Sequence, residues 1–180
     1  MKEALNLNNR KWKSFKVSDI FYIFTGALLN KEGMQGGNIP RITATDINNG
    51  VALFTNRVES NKFRTFENFI SISFLGSVFY QKNLSSLDMK IHGISPKGYN
   101  LNSYSAKFLI PIIKKFAFKY HYGYQLSTSI LRRQKMLLPI NNESLPDWLF
   151  MENYIKQKEF TFKKLLKLFV LLNLYFVLRM

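Results

Sequence analysis

From Trp148 to Arg179 the sequence holds neither proline nor glycine, and Pro139 and Pro146 precede it with the polar turn Asn141-Asn142-Glu143-Ser144 between them. This predicts a boundary followed by one long helix, because proline suits a helix start and breaks its interior. Asp147 is favoured in the first turn, where the helix dipole is positive. At about 1.5 Å of rise per residue such a helix is a rod. Its first half carries Phe150, Met151, Tyr154 and Ile155 beside Lys156 and Lys158, and its second half is apolar on nearly every side. A helix of that kind needs a partner helix or burial. The apolar tail from Leu165 to Leu178 is interrupted by Lys167, and a bilayer span takes about 20 apolar residues.

The sequence before this rod reads as strands and turns. Val17 to Phe21 is a strand end passing into a short helical turn, with Ser18 as its cap. Gly26 to Asn38 is a glycine-rich loop without the ending of a P-loop or the spacing of a dinucleotide fingerprint. Ile39 to Thr43 and Val51 to Phe54 are strands on either side of the turn signal Asn48-Asn49-Gly50. Phe69 to Phe74 alternates apolar and polar residues, the pattern of a half-buried strand, and Val78 to Gln81 resumes it after the break at Leu75-Gly76-Ser77. Strands joined this way predict a mixed or antiparallel sheet. Tyr104 to Phe116 has a helical apolar stripe capped by Asn102 or Ser103, in conflict with Pro111. Aromatics at every second position from Phe116 to Tyr124 predict one face of a strand. The fold class is therefore α+β: a mixed or antiparallel sheet domain over residues 1–145 and a long helix over residues 146–180.

Charge narrows the partner. Lysine and arginine total 26 against 11 acidic residues, a net charge of +15. Such a surplus favours nucleic acid or an anionic membrane surface, and an AT-rich codon bias toward lysine is the bland alternative. Between Met89 and Asn142 there is no Asp or Glu, whereas Lys90, Lys97, Lys107, Lys114, Lys115, Lys119, Arg132, Arg133 and Lys135 all lie there. A segment so free of carboxylates suits contact with phosphate. The absence of cysteine excludes disulfides and fits a reducing, cytoplasmic setting, and the polar, basic start has no signal-peptide core.

No catalytic motif emerges. His92 and His121 stand alone, with Asp88 and His92 a possible i, i+4 hydrogen-bonded pair. Pro146-Asp147 lacks the ExK partner of a nuclease, and there is no Asn/Asp-Pro-Pro-aromatic methyltransferase motif. No metal and no cofactor are expected.

Four pieces in order carry a resemblance. They are Trp12-Lys13-Ser14-Phe15 with Asp19-Ile20-Phe21 and Gly26; Asn38-Ile39-Pro40-Arg41-Ile42-Thr43-Ala44-Thr45 with Asn48-Asn49-Gly50-Val51; Lys119 to Tyr124 with Leu138-Pro139-Ile140; and Pro146-Asp147-Trp148-Leu149-Phe150-Met151-Glu152-Asn153-Tyr154-Ile155. Together they resemble the target-recognition domain of Type I restriction-modification specificity subunits. The resemblance implies a scaffold without chemistry of its own that reads duplex DNA while partner subunits methylate and cut it. Specificity subunits of this type carry two recognition domains, and here there is one. The resemblance therefore implies a half-site reader, completed by self-association or by a second specificity half through the C-terminal helix. A recognition fragment of a fused methyltransferase-nuclease and a basic peripheral membrane protein are the alternatives.

Base edges specify sequence, and phosphates position the protein. Strand ends and turns nominate Arg41, Thr43, Asn48, Asn49 and Gln81 for bases, since Arg pairs with guanine and Asn or Gln with adenine. Lys82, Lys119, Arg132, Arg133 and Lys135 are nominated for phosphates, and Tyr120, Tyr122 and Tyr124 for either.

Overall fold

The computed structural model describes residues 5–29, 36–60 and 62–177, with side chains described up to residue 171 and at 173. Ten strands, four α-helices and two single-turn 3-10 helices, Leu7–Asn9 and Asn48–Gly50, follow one another in it. β1 (Trp12–Lys16) passes directly into the one-turn α1 (Val17–Ile20) and then β2 (Phe21–Thr25). β3 (Ile39–Ile42), β4 (Val51–Thr55), β5 (Thr65–Phe66), β6 (Phe69–Ser73), β7 (Val78–Gln81), β8 (Ser85–Leu87) and β9 (Ile91–Pro96) precede α2 (Ser103–Ala117). α3 (Thr128–Arg133), β10 (Lys135–Pro139) and α4 (Trp148–Val177) complete the order.

The strands form two four-stranded sheets and a ribbon. β2-β9-β6-β7 is antiparallel throughout, and β4-β3-β8-β5 is mixed because β3 and β8 run parallel. β1 and β10 pair antiparallel with Trp12 opposite Pro139. The larger core lies between one face of the first sheet, α2 and the base of α4, and includes Ile70, Ile72, Leu109, Ile113 and Met151. The smaller core, Ile42, Phe69, Leu87 and Ile91, is closed by Phe24 and Phe66, whose rings stack at 3.9 Å. Gly93 is required here: a Cβ on it would fall 2.0 Å from the Phe24 ring.

Several sequence expectations change. The alternating β6 is buried on both faces rather than one. Its serines are tolerated because Ser71 Oγ donates to the Phe79 carbonyl and Ser73 Oγ accepts from the Leu75 and Ser77 amides. Ser18 does not cap α1; its hydroxyl donates to Asp19. Asn102 is the cap of α2, accepting from the Tyr104 and Ser105 amides in a reciprocal box with Ser105. That cap, with Lys114 and Lys115 at the negative end, holds a helix that runs on through the exposed Pro111. Residues 116–124 are not a strand: α2 persists to Ala117 and a tight turn follows. Asp88 does not pair with His92; it pairs with Arg41, while His92 Nε2 lies 3.1 Å from Thr128 Oγ1. Of the glycine-rich loop, residues 26–29 and 36–38 are neither helix nor strand, and 30–35 lie outside the described residues.

α4 has two halves. Asp147 caps it, accepting from the Phe150 amide at 2.9 Å and pairing with Arg10. Phe150 and Met151 enter the core, and Glu152 accepts hydrogen bonds from Tyr99 and Asn102 at the start of α2. Lys107 of α2 pairs with Glu159. Every side chain described after Glu159 is exposed, including Phe160, Phe162, Leu165 and Phe169. No described helix is long and apolar enough to cross a membrane.

Candidate nucleic-acid interface

The β6–β7 hairpin turn organises one end of the molecule. Gly76 has φ +94 there and lies against the Ala117 carbonyl, so a side chain would strike backbone. On one side the 44–50 segment runs along the open edge of β7. Ser77 Oγ donates to Asp46, and Asn49 Nδ2 donates to the Tyr80 carbonyl at 3.1 Å. On the other side lie the end of α2 and the 118–125 knuckle. Asp46, Ser77, Phe79, Lys114 and Phe118 line a shared cavity of about 340 Å³. α3 starts beside the same hairpin, because the Leu126 amide donates to the Phe74 carbonyl at 2.9 Å. Lys90 sits 4.6 Å over the Phe74 ring.

The nominated residues divide by burial. Three are excluded from direct contact as they stand. Arg41 is 2% exposed. Its guanidinium donates to Ser86 Oγ and the Leu87 carbonyl at 2.7 Å and to the Ala27 carbonyl at 2.8 Å, and it pairs with Asp88 at 3.2 Å. Burial lowers its pKa, and Asp88 opposes that shift. Arg41 is thus a staple between β3, β8 and the segment after β2, because β3 lies inside its sheet. Gln81 is also buried; its amide donates to the Asn49 carbonyl at 2.8 Å and to Ser71 Oγ at 3.1 Å. Tyr120 is buried with its ring stacked on Tyr124 at a 5.3 Å centroid distance.

The others remain accessible. Asn48 and Asn49 are exposed with left-handed φ of 49° and 56°, a backbone that asparagine tolerates. Thr43 is half-buried, and its amide donates to the Gly50 carbonyl. Lys119, Tyr122 and Tyr124 stand exposed on the knuckle, and Arg132 and Arg133 on the last turn of α3. Lys135 is exposed opposite Lys16 in the β1–β10 ribbon. Lys82 is exposed beyond the far end of β7, away from the hairpin turn. Lys90, Lys114 and Phe118 join this surface without having been nominated. The two lysines lie in the carboxylate-free run, which was the signal available for them; Phe118 was hidden by the strand reading. The carboxylates nearby, Asp46 and Asp88, each have a partner. Among the described residues, no three of His, Asp and Glu gather as a metal site.

The family model described as Type I restriction modification DNA specificity domain matches residues 9–168. The chain belongs to this specificity-domain family. It is 33% identical over 158 residues to the specificity subunit S.BcgI of a Type II restriction enzyme from Heyndrickxia coagulans, covering 86% of this chain and 45% of that protein. The Type I restriction-modification S subunit from M. genitalium shares the fold at a TM-score of 0.61 and 18% identity, over 79% of this chain and 38% of that one. The HsdS subunit from Thermoanaerobacter tengcongensis does so at 0.57 and 12%, over 83% and 38%. This specificity domain therefore spans less than half the length of each of these relatives. The α+β fold with a long C-terminal helix is common to them.

Proposed function

We propose that this specificity domain reads one half-site of duplex DNA and does no chemistry itself, acting in the cytoplasm beside methylation and restriction subunits. Residues 1–145 are the reading unit, and residues 146–180 form a spacer and pairing helix. The observation that carries the reading is the surface around the β6–β7 hairpin. It offers Asn48, Asn49, Lys114, Lys119, Tyr122 and Tyr124, with Arg132 and Arg133 further along α3 toward α1, and Asp46 and Asp88 beside the hairpin are already engaged. Asparagines on a turn suit adenine edges, and exposed cations suit phosphates. Arg41, Gln81 and Tyr120 act as its supports. Lys82, at the far end of β7, and Lys135, in the β1–β10 ribbon, lie away from the hairpin turn and would meet phosphate only on a longer duplex.

The apolar half of α4 supports self-association, since a lone helix with Phe160, Phe162, Leu165 and Phe169 exposed is unfavourable in water. Two copies so joined would read a bipartite site.

Duplex binding as a function of salt tests the reading, with anionic vesicles as the competing polyanion. Each phosphate contact adds about −0.9 to the slope of log K against log salt, and Lys119→Ala lowers the slope by about one. Binding to vesicles but not to duplex at low salt would refute it.

A further inference from the structure

Among the large apolar side chains described as exposed, the two most exposed are Tyr122 at 83% and Phe118 at 80%, four residues apart in one segment. Neither is on a loose loop. The Phe118 amide closes the last turn of α2 on Lys114, and the Tyr120 amide donates to Ala117. His121 and Tyr124 exchange two backbone hydrogen bonds, of 3.1 and 2.9 Å, around the turn that carries Tyr122. The Gly123 amide donates to His121 Nδ1, and the Gln125 side chain to the Tyr122 carbonyl. Tyr120 is buried beneath, stacked on Tyr124, and Leu126 is buried just beyond. The tips therefore cannot fold back into the core without breaking the turn.

Their surroundings select the occupant. Lys114 lines the same cavity as Phe118, the exposed Lys119 follows Phe118 in the chain with its ammonium 5.3 Å over the Tyr120 ring, and the chain has no carboxylate from residue 89 to 142. Ile47, 68% exposed, follows Asp46, which lines the cavity shared with Phe118. Apolar tips beside exposed cations fit a polyanion with apolar faces inside it. Stacked bases behind phosphates are such a ligand, and aromatic or aliphatic side chains inserted between base steps unstack and bend a duplex.

We infer that the 118–125 knuckle is a wedge: Phe118 and Tyr122 insert at a base step of the bound duplex and unstack it, while Lys114 and Lys119 hold the flanking phosphates. The inference rests on the DNA reading above. It adds deformation of the duplex to contact with base edges, so that easily unstacked steps are favoured at a position no side chain reads by hydrogen bonding.

The test uses the full chain and a duplex it selects from a random-sequence pool, with 2-aminopurine placed at each position in turn. Saturating wild-type protein raises the fluorescence several-fold at one step. The Phe118→Ala, Tyr122→Ala double variant binds the same duplex roughly tenfold more weakly and, at saturation, leaves the probe dark. Tyr122→Phe keeps the signal, and Lys119→Ala weakens binding while leaving the signal at saturation. A bound duplex that brightens nowhere, or a double variant that brightens it like wild type, overturns the wedge and leaves DNA binding intact. Selection of no duplex at low salt overturns the DNA reading and the wedge with it.

Discussion

Arg41 shows how the chemistry of a residue and its place decide different things. An arginine at a strand end is a fair candidate for guanine, yet here its planar fork meets four acceptors inside the protein. Removing it takes a donor from Asp88, Ser86 and two carbonyls, of which Asp88 and Leu87 each keep a backbone amide. Breaking a fully buried ion pair from one side costs about 3–5 kcal/mol; Asp88 is 31% exposed and also accepts from the Lys90 amide, so the cost here falls below that range. Arg41→Ala is therefore expected to lower the denaturant midpoint, and Arg41→Lys to rescue little, because a point charge cannot reproduce the fork. An Arg41→Ala protein of wild-type stability but altered sequence preference would restore the base-reading role. Glu152 gives a prediction in pH. The hydrogen bonds from Lys156, Tyr99 and Asn102 hold its pKa down from 4.5 to about 2. A depressed carboxylate pKa means the unfolded chain binds more protons, so the stabilisation is complete above pH 4.5 and is lost as pH falls toward 2. Denaturation at pH 7 should show Glu152→Gln less stable than wild type, with the gap closing below pH 4. A gap independent of pH would mean that the charge of Glu152 does not stabilise the fold.

Elements were legible where one period dominates a segment with clear ends. The Asn48-Asn49-Gly50 turn, β6, β7 and α4 follow from local pattern alone. The stretch 116–124 did not, because alternating aromatics fit a strand equally well. What decides it is tertiary: Tyr120 fills the core under the hairpin while Phe118 and Tyr122 point outward. Burial of Arg41 and Gln81 was likewise unreadable, since a single sequence does not show that β3 pairs with both β4 and β8, or that the Asn49 carbonyl waits for Gln81. α4 joins both kinds of evidence, and its halves should respond differently. Met151 is fully buried, and its replacement by Ala should cost about 2–5 kcal/mol of stability. Phe169 is 63% exposed, so Phe169→Lys should leave the fold of the domain intact and shift sedimentation toward monomer. Equal loss of stability in both variants would mean that the outer half of α4 packs on its own domain.

At the scale of the whole molecule, the root of α4 ties the proposed reading surface to the proposed pairing surface. Asp147, Glu152 and Glu159 fix the helix to Arg10, Tyr99, Asn102 and Lys107, so a change in its length must move one domain relative to another paired with it. Its 30 residues span about 45 Å, which matches roughly 13 base pairs at 3.4 Å each. Two copies related by a two-fold axis through antiparallel helices would read inverted half-sites with a gap set by this length. Inserting seven residues after Phe160 adds about 10.5 Å, close to two turns, and so nearly preserves which face is apolar. Duplexes selected by the lengthened protein should carry the same half-sites, inverted, with the gap wider by about three base pairs. An unchanged gap would show that α4 does not set the spacing. Single, unpaired sites would show that the domain reads alone, and the exposed half of α4 would then need a different partner.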